Sequence, residues 1–77
     1  MKLAGHRTEQ LQLLKTAGAT TRAKAVAVAF DASYRPVTLS RMVDEGLVEH
    51  AYTAVKGDSK RRASHYWLTV AGLEALS

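Results

Sequence analysis

The sequence predicts an α+β domain in which three helices are followed by a two-stranded antiparallel hairpin. Up to Gly46, apolar residues recur at helical spacing. From Leu47 onward valine, tyrosine, threonine and tryptophan take over, and two such runs flank the turn signal Gly57-Asp58. Because the chain has only 77 residues, we expect residues 1–77 to form a single domain.

Composition limits the class of protein. Hydrophobic residues make up 47% of the chain, which is typical of a globular domain and not of a disordered one. The absence of cysteine excludes a disulfide framework and a thiolate metal site. No signal peptide or membrane span is recognisable, since the longest apolar run, Ala25 to Phe30, is far too short. We therefore expect a soluble, cytoplasmic protein with no membrane partner.

Positive charge is concentrated in one short stretch. The formal net charge is +4, and residues 56–62 contain four basic side chains and one acid. This clustering favours contact with a polyanion over an ordinary solvated turn. The charged residues of the stretch are Lys56, Asp58, Lys60, Arg61 and Arg62.

The first helix is predicted over residues 8–17. Thr8 is a suitable N-cap, and Leu11 and Leu14 lie on one helical face. Gly18 is a natural C-terminal stop.

A second helix is predicted in "ATTRAKAVAVAFDAS", with Thr20 or Thr21 as its cap. Val26 and Phe30 lie four residues apart, as on one face of a helix. The alternation in "AVAVAF" is also compatible with a strand. Because alanine favours helix, the helical interpretation is preferred.

The third helix is predicted over residues 34–45, capped by Ser33 and ended by Gly46. Pro36 fits only in a first helical turn. The apolar stripe of this helix consists of Leu39, Met42 and Val43, and its opposite side carries Tyr34, Thr38 and Arg41.

The hairpin is predicted from the runs 47–55 and 63–70, joined by residues 56–62, with a short terminal helix after it. A turn centred on Gly57-Asp58 would place His50 opposite His65. We expect these histidines to form a surface cross-strand pair and no metal site, because no third ligand is evident. The predicted core consists of Leu11, Leu14, Val26, Phe30, Leu39, Met42, Val43, Leu47 and Leu68.

Two segments carry a resemblance to a known family. "LSRMVDEGLVEH" resembles the end of the recognition helix and the start of the wing in MarR/PadR-type winged helix-turn-helix regulators, and "RRASHYWLTVAGLEAL" resembles their second wing strand and following "LT-x-x-G". The short connection Asp31–Ser33 suits a helix-turn-helix. With the first two helices, the resemblance covers roughly residues 8–76 and implies a winged helix with a two-stranded wing.

The sequence departs from the family in two respects. The long dimerisation helices of the family have no counterpart here, so we expect a monomer or a weak homodimer that forms on DNA. Family wings often place an aspartate directly before the arginine, whereas Asp58 stands four residues before Arg62.

The resemblance implies a sequence-specific double-stranded DNA-binding protein, acting as a transcriptional regulator. Helix 34–45 would enter the major groove, and the basic wing 56–62 would contact the backbone or the minor groove. Arginine can bond guanine edges bidentately, while serine and threonine reach bases or phosphates. The candidate DNA-binding residues are Ser33, Tyr34, Arg35, Thr38, Ser40 and Arg41 in the third helix and its cap, Lys60, Arg61 and Arg62 in the wing, and Thr21 and Arg22 at the start of the second helix.

Two alternatives remain beside transcriptional regulation. One is a winged-helix protein-interaction adaptor, because fold does not determine function. The other is an architectural DNA-binding factor in replication or excision, which would use the same surface. The sequence contains no nucleophile–base pair, phosphate-binding glycine loop or paired carboxylates, so we expect neither enzyme activity nor a cofactor.

Overall fold

The computed structural model describes residues 5–76 and has three α-helices and a three-stranded antiparallel sheet. The helices are α1 (Gly5–Thr16), α2 (Pro36–Asp44) and α3 (Val70–Ala75), and the strands are β1 (Val26–Ala27), β2 (Val48–Val55) and β3 (Asp58–Leu68). This arrangement confirms the α+β class and is compatible with a small winged-helix-like fold. None of the helices within residues 5–76 has the length and hydropathy needed to cross a membrane.

The sheet has one strand more than expected. Its order is β1-β3-β2, so the long strand β3 is central. Val48 pairs with Leu68 at one end of the hairpin, and Val26 of β1 pairs with Tyr66 on the other side of β3. The predicted two-stranded sheet is therefore extended by a short third strand from an earlier part of the chain.

The predicted second helix is wrong. Residues 22–30 form a 3₁₀ turn (Arg22–Lys24), strand β1, and a second 3₁₀ turn (Val28–Phe30). The alternation of alanine and valine in "AVAVAF" therefore indicates a strand, although the strand is only two residues long. Antiparallel pairing with β3 overrides the helix propensity of alanine at this place.

Because that helix is missing, α2 is preceded by a tight turn and not by a helix-turn-helix pair. The Tyr34 N–H donates to the Asp31 carbonyl at 3.2 Å, and the Ser33 N–H donates to the Asp31 carboxylate at 2.8 Å. Aspartate is favoured at the start of such turns, since its side chain can accept from the backbone two residues on. The predicted cap is also wrong, because Arg35 and not Ser33 is the N-cap of α2.

Two glycines end α1 and α2, as the sequence predicted for the first and third helices. Gly18 has φ 76° and Gly46 has φ 79°, a left-handed conformation that favours glycine. In each case the next residue donates its N–H back to the helix, Ala19 to the Leu14 carbonyl and Leu47 to the Met42 carbonyl, both at 2.9 Å. This is the Schellman pattern, which satisfies carbonyls left over at a helix end.

Helix α3 is attached to the start of β2 through Thr69 and Gly72. The Thr69 hydroxyl donates to the Gly46 carbonyl at 2.7 Å and accepts from the Gly72 N–H at 3.0 Å. A Cβ at Gly72 would collide with the Leu47 carbonyl oxygen. The "LT-x-x-G" segment therefore combines a helix cap with a close backbone contact.

Most of the predicted core is confirmed. Five of its members are buried, namely Leu11, Leu14, Leu39, Met42 and Leu68, and Val26, Val43 and Leu47 pack against them partly buried. The prediction that Phe30 belongs to the core is wrong, because Phe30 ends the second 3₁₀ turn and is 54% exposed. The buried residues absent from the prediction include Val28, Tyr34, Val48, Tyr66 and Trp67.

Candidate nucleic-acid interface

The tip of the hairpin is irregular on one strand. Val55 pairs with Asp58 around the turn Lys56-Gly57, yet the neighbouring Ala54 pairs with Arg62. The residues 59–61 are thus inserted into β3 without a partner on β2 in this register. Such a bulge bends the strand and re-aims its side chains. The basic residues of the sequence pattern are therefore displayed on a bulged tip and not on a regular ladder.

The register also corrects the predicted histidine pair. Along the regular part of the hairpin His50 faces Tyr66, and His65 faces Ala51. The His50 and Tyr66 ring centroids lie 4.9 Å apart, while His65 is buried with its Nδ1 2.9 Å from the Ala63 carbonyl oxygen. Within residues 5–76 no group of three or more His, Cys, Asp or Glu side chains is placed to hold a metal ion.

Asp58 organises the basic tip. Its carboxylate accepts from the Lys60 N–H at 3.2 Å and lies 4.0 Å from Arg61 Nε. The arginine that Asp58 contacts at the hairpin tip is therefore Arg61 and not Arg62. Both side chains of the pair are more than half exposed, so the ion pair contributes little stability and leaves most of the positive charge available.

Arg61 also connects the hairpin to the second 3₁₀ turn. Its guanidinium carbon lies 5.5 Å from the centroid of the Phe30 ring, which is a cation–π distance. The contact explains how the exposed Phe30 is positioned although it is outside the core. The hairpin tip and the segment that leads into α2 are therefore neighbours at this point.

A groove joins this contact to the start of α2. It has a volume of about 410 Å³ and contains no acidic residue in its lining. The side chains that matter most for its chemistry are Phe30, Pro36, Tyr52, Arg61, Arg62 and Tyr66. The first residue of α2 and two arginines of the basic hairpin therefore lie on the walls of one concave surface.

The outer face of α2 is partly as predicted. Ser40 and Arg41 are exposed, as expected, and Thr38 is half-buried. The other exposed residues of α2 are Pro36, Val37 and Asp44, so the exposed face is mixed in character and not uniformly basic. Glu45, just beyond the helix, is 2.7 Å from an Arg7 guanidinium nitrogen and is thereby partly neutralised.

Tyr34 does not lie on the exposed face, so that prediction is wrong. It is 8% exposed and belongs to the core, because α2 begins only at Pro36. Burial raises the pKa of the Tyr34 hydroxyl, and the nearby Asp31 charge raises it further. Its neighbours Ser33 and Arg35 remain exposed.

Gln10 holds the segment in which the buried Tyr34 lies between the exposed Ser33 and Arg35. The sequence analysis did not predict this role. Its side chain is fully buried, donates from Nε2 to the Ser33 carbonyl at 3.0 Å, and accepts at Oε1 from the Arg35 N–H at 2.7 Å. A glutamine four residues before Leu14, on the buried face of a leucine-rich helix, was the available signal.

Thr21 and Arg22 lie away from the hairpin tip. Both are exposed, and Arg22 borders a depression shared with Val43, Gly46 and Thr69, at the C-terminal end of α2. The pairs Val48–Leu68 and Ala54–Arg62 lie six residues apart along β2, which is about 20 Å at the usual strand rise. The structure therefore does not bring these two candidates together with Lys60, Arg61 and Arg62.

Comparisons of this chain with protein-family models, with curated proteins and with solved structures found no match.

Proposed function

We propose that the protein binds double-stranded DNA sequence-specifically and acts as a transcriptional regulator. Helix α2 enters the major groove, and the basic hairpin tip contacts the adjacent backbone or minor groove. The observation that carries the proposal is the groove shared by Pro36 of α2 and by Arg61 and Arg62 of β3. A helix and a basic hairpin that adjoin in this way can lie against the same duplex.

The contribution of α2 is base recognition. An α-helix with its side chains is about 10–12 Å across, and the major groove is about 12 Å wide, so a helix such as α2 fits into it. Arg41 is the exposed arginine of the helix and can bond a guanine edge through two N–H groups. Ser40 lies beside it and can reach a base or a phosphate, while Thr38 is less accessible.

The contribution of the hairpin is electrostatic. The exposed basic side chains of β3 at the hairpin tip are Lys60, Arg61 and Arg62. Among the ion pairs of residues 5–76, the acid that contacts one of them is Asp58. Such side chains neutralise phosphates, which positions a protein on the duplex without selecting a sequence. Arg35 is exposed directly before α2, and in this proposal it adds a similar contact.

Assembly on DNA is a further part of the proposal, and it rests on the lack of a counterpart to the long dimerisation helices of the MarR/PadR-type family. A monomer or weak homodimer would occupy an inverted repeat, with half-sites about 10 base pairs apart on one face of the duplex. Analytical ultracentrifugation of the free protein should show mainly monomer at low concentration. A tight dimer without DNA would contradict this part alone.

The test of function is selection from random duplexes followed by footprinting on genomic fragments. A defined site near promoters supports transcriptional regulation, whereas sites near origins or recombination junctions support the architectural alternative. If no duplex is retained at low salt, the DNA proposal fails, and the protein-interaction adaptor takes its place.

A further inference from the structure

We propose that the groove between the hairpin and the second 3₁₀ turn binds an unpaired base of single-stranded DNA. This activity extends the proposed duplex binding, because it uses the same basic hairpin together with aromatic side chains that duplex binding does not require. Its test can therefore fail or succeed separately from that function.

The first argument is the exposure of two aromatic rings on different elements. Phe30 is 54% exposed and Tyr52 is 64% exposed, and both line the groove. Within residues 5–76 four large hydrophobic side chains are exposed, and these two are the aromatic ones. Keeping such area in water is unfavourable, so a shared location in one groove indicates a ligand with an apolar face. Nucleobases stack on aromatic side chains irrespective of sequence.

The second argument is charge. Arg61 and Arg62 line the same groove, and no carboxylate does. The acid paired with Arg61 is Asp58 at 4.0 Å, in an exposed pair that leaves the arginine largely uncompensated. Phosphates on either side of a bound base would meet these two arginines. An apolar peptide segment would cover the rings but would supply nothing for the positive charge.

The third argument is the position of Arg61 over Phe30. At 5.5 Å from the ring centroid, the guanidinium occupies one side of the phenyl ring. Guanidinium planes also stack on bases, and their N–H groups still bond phosphate oxygens. Arg61 can thus extend the aromatic wall while holding a phosphate.

An unpaired base fits this surface better than a base pair does. In a duplex both faces of each base are covered by its neighbours, so the rings of Phe30 and Tyr52 could not reach them without unstacking. A base in a single strand has a free face. The groove, at about 410 Å³, lies within the size range of small-ligand pockets and is therefore large enough for one base.

The test compares binding of a fluorescein-labelled oligothymidylate with binding of an abasic oligonucleotide of equal length. Both carry phosphates, but only the first carries bases. We expect the wild-type protein to prefer the oligothymidylate, and Phe30→Ala with Tyr52→Ala to lower its affinity by about 5- to 150-fold, the range that stacking of one base supplies. Affinity for the abasic strand should change much less.

Three variants serve as controls. Val70→Ala removes an apolar side chain that is 72% exposed on α3, outside the groove, and should leave both affinities unchanged. Tyr52→Phe retains the ring and should retain binding. Arg61→Ala with Arg62→Ala should weaken binding of both strands. The comparison requires that all of these proteins have similar thermal unfolding temperatures. We expect this because the altered side chains are exposed.

The outcomes separate this proposal from duplex binding. Equal affinity for oligothymidylate and abasic strand, or ring variants that bind oligothymidylate as the wild type does, would overturn the inference even if a specific duplex binds. Ring-dependent binding of oligothymidylate without any duplex binding would uphold it and remove the proposed regulatory function.

Discussion

The Arg35 N–H donates a 2.7 Å hydrogen bond to the side-chain oxygen of Gln10, which is fully buried in α1. The same carboxamide bonds the Ser33 carbonyl, so one side chain satisfies backbone groups on both sides of Tyr34. The result is a connection in which Tyr34 faces the core while Arg35 faces solvent. The start of α2 is therefore determined by a residue of another helix.

Replacing Gln10 by alanine should destabilise the protein. The substitution leaves the Arg35 N–H and the Ser33 carbonyl without their partner. Each of these groups that stays buried should lower the free energy of unfolding by about 1–3 kcal/mol. Urea unfolding monitored by Trp67 fluorescence would measure the loss. Gln12→Ala is the matched control, because Gln12 lies on the same helix and is exposed. Equal stability of the two variants would contradict the assigned role of Gln10.

Gly72→Ala should destabilise the domain although alanine is the better helix former. The added methyl group would collide with the Leu47 carbonyl oxygen, which is backbone and cannot rotate away. We expect a loss of about 1–3 kcal/mol, as for overpacking in other cores. Gly5→Ala is the control, since nothing lies within 4 Å of a Cβ placed there. Thermal unfolding of the two variants checks the prediction, and a Gly72→Ala protein as stable as wild type would disprove the contact.

Stability should fall as the pH rises above about 10. Burial raises the pKa of Tyr34 above its ordinary value of 10.0, with Asp31 adding to the effect, and burial also raises the pKa of Tyr66. Below pH 10 both hydroxyls are protonated in the folded and the unfolded chain, and their contribution to stability is fully present. Above it the unfolded chain loses these protons first, which favours unfolding.

Chemical denaturation at a series of alkaline pH values would measure this dependence. Tyr34→Phe should make the free energy of unfolding fall less steeply with pH, because it removes one of the two groups. Tyr52→Phe is the control for an exposed tyrosine. A Tyr34→Phe protein with the wild-type pH dependence would show that this hydroxyl ionises equally in both states.

Arg41→Ala should reduce sequence discrimination. Under the proposed function this arginine bonds a base edge, so the variant should lose about 1–3 kcal/mol on the selected site and much less on a scrambled duplex. Lys15→Ala is the control, because Lys15 is an exposed cation in the last turn of α1. Fluorescence anisotropy with both duplexes would measure the difference, and parallel losses on the two would show that Arg41 contacts only phosphate.

Replacing Lys60, Arg61 and Arg62 together by alanine should weaken binding to every duplex. It should also flatten the plot of log affinity against log salt, by up to about 0.9 for each phosphate that the variant no longer neutralises. Titrations across a salt series give the slope. An unchanged slope on both duplexes would mean that the hairpin tip is only a solvated turn, and with an unchanged Arg41→Ala variant the DNA proposal would fail.

Elements whose signals are local could be predicted from the sequence. The helix stops at Gly18 and Gly46, the leucine stripe and the valine- and tyrosine-rich hairpin were all predicted from neighbouring residues. Each depends on a backbone preference or on a periodicity that a few adjacent positions express. The exposure of Ser40 and Arg41 followed from the same helical periodicity.

Features that depend on partners distant in sequence became visible when the chain was folded. Val26 and Ala27 form a strand because Tyr66 and His65 lie beside them, some forty residues away in sequence. The predicted turn at Gly57-Asp58 is wrong, because the chain turns at Lys56-Gly57 and inserts residues 59–61 into β3. The observed register therefore differs by one residue from the predicted one, and His50 faces Tyr66 and not His65. Tyr34 is buried because Gln10 holds its neighbours, and Phe30 is exposed against Arg61 because the expected helix is absent. Pairing and burial are decided by which surfaces meet, and no local pattern contains that information.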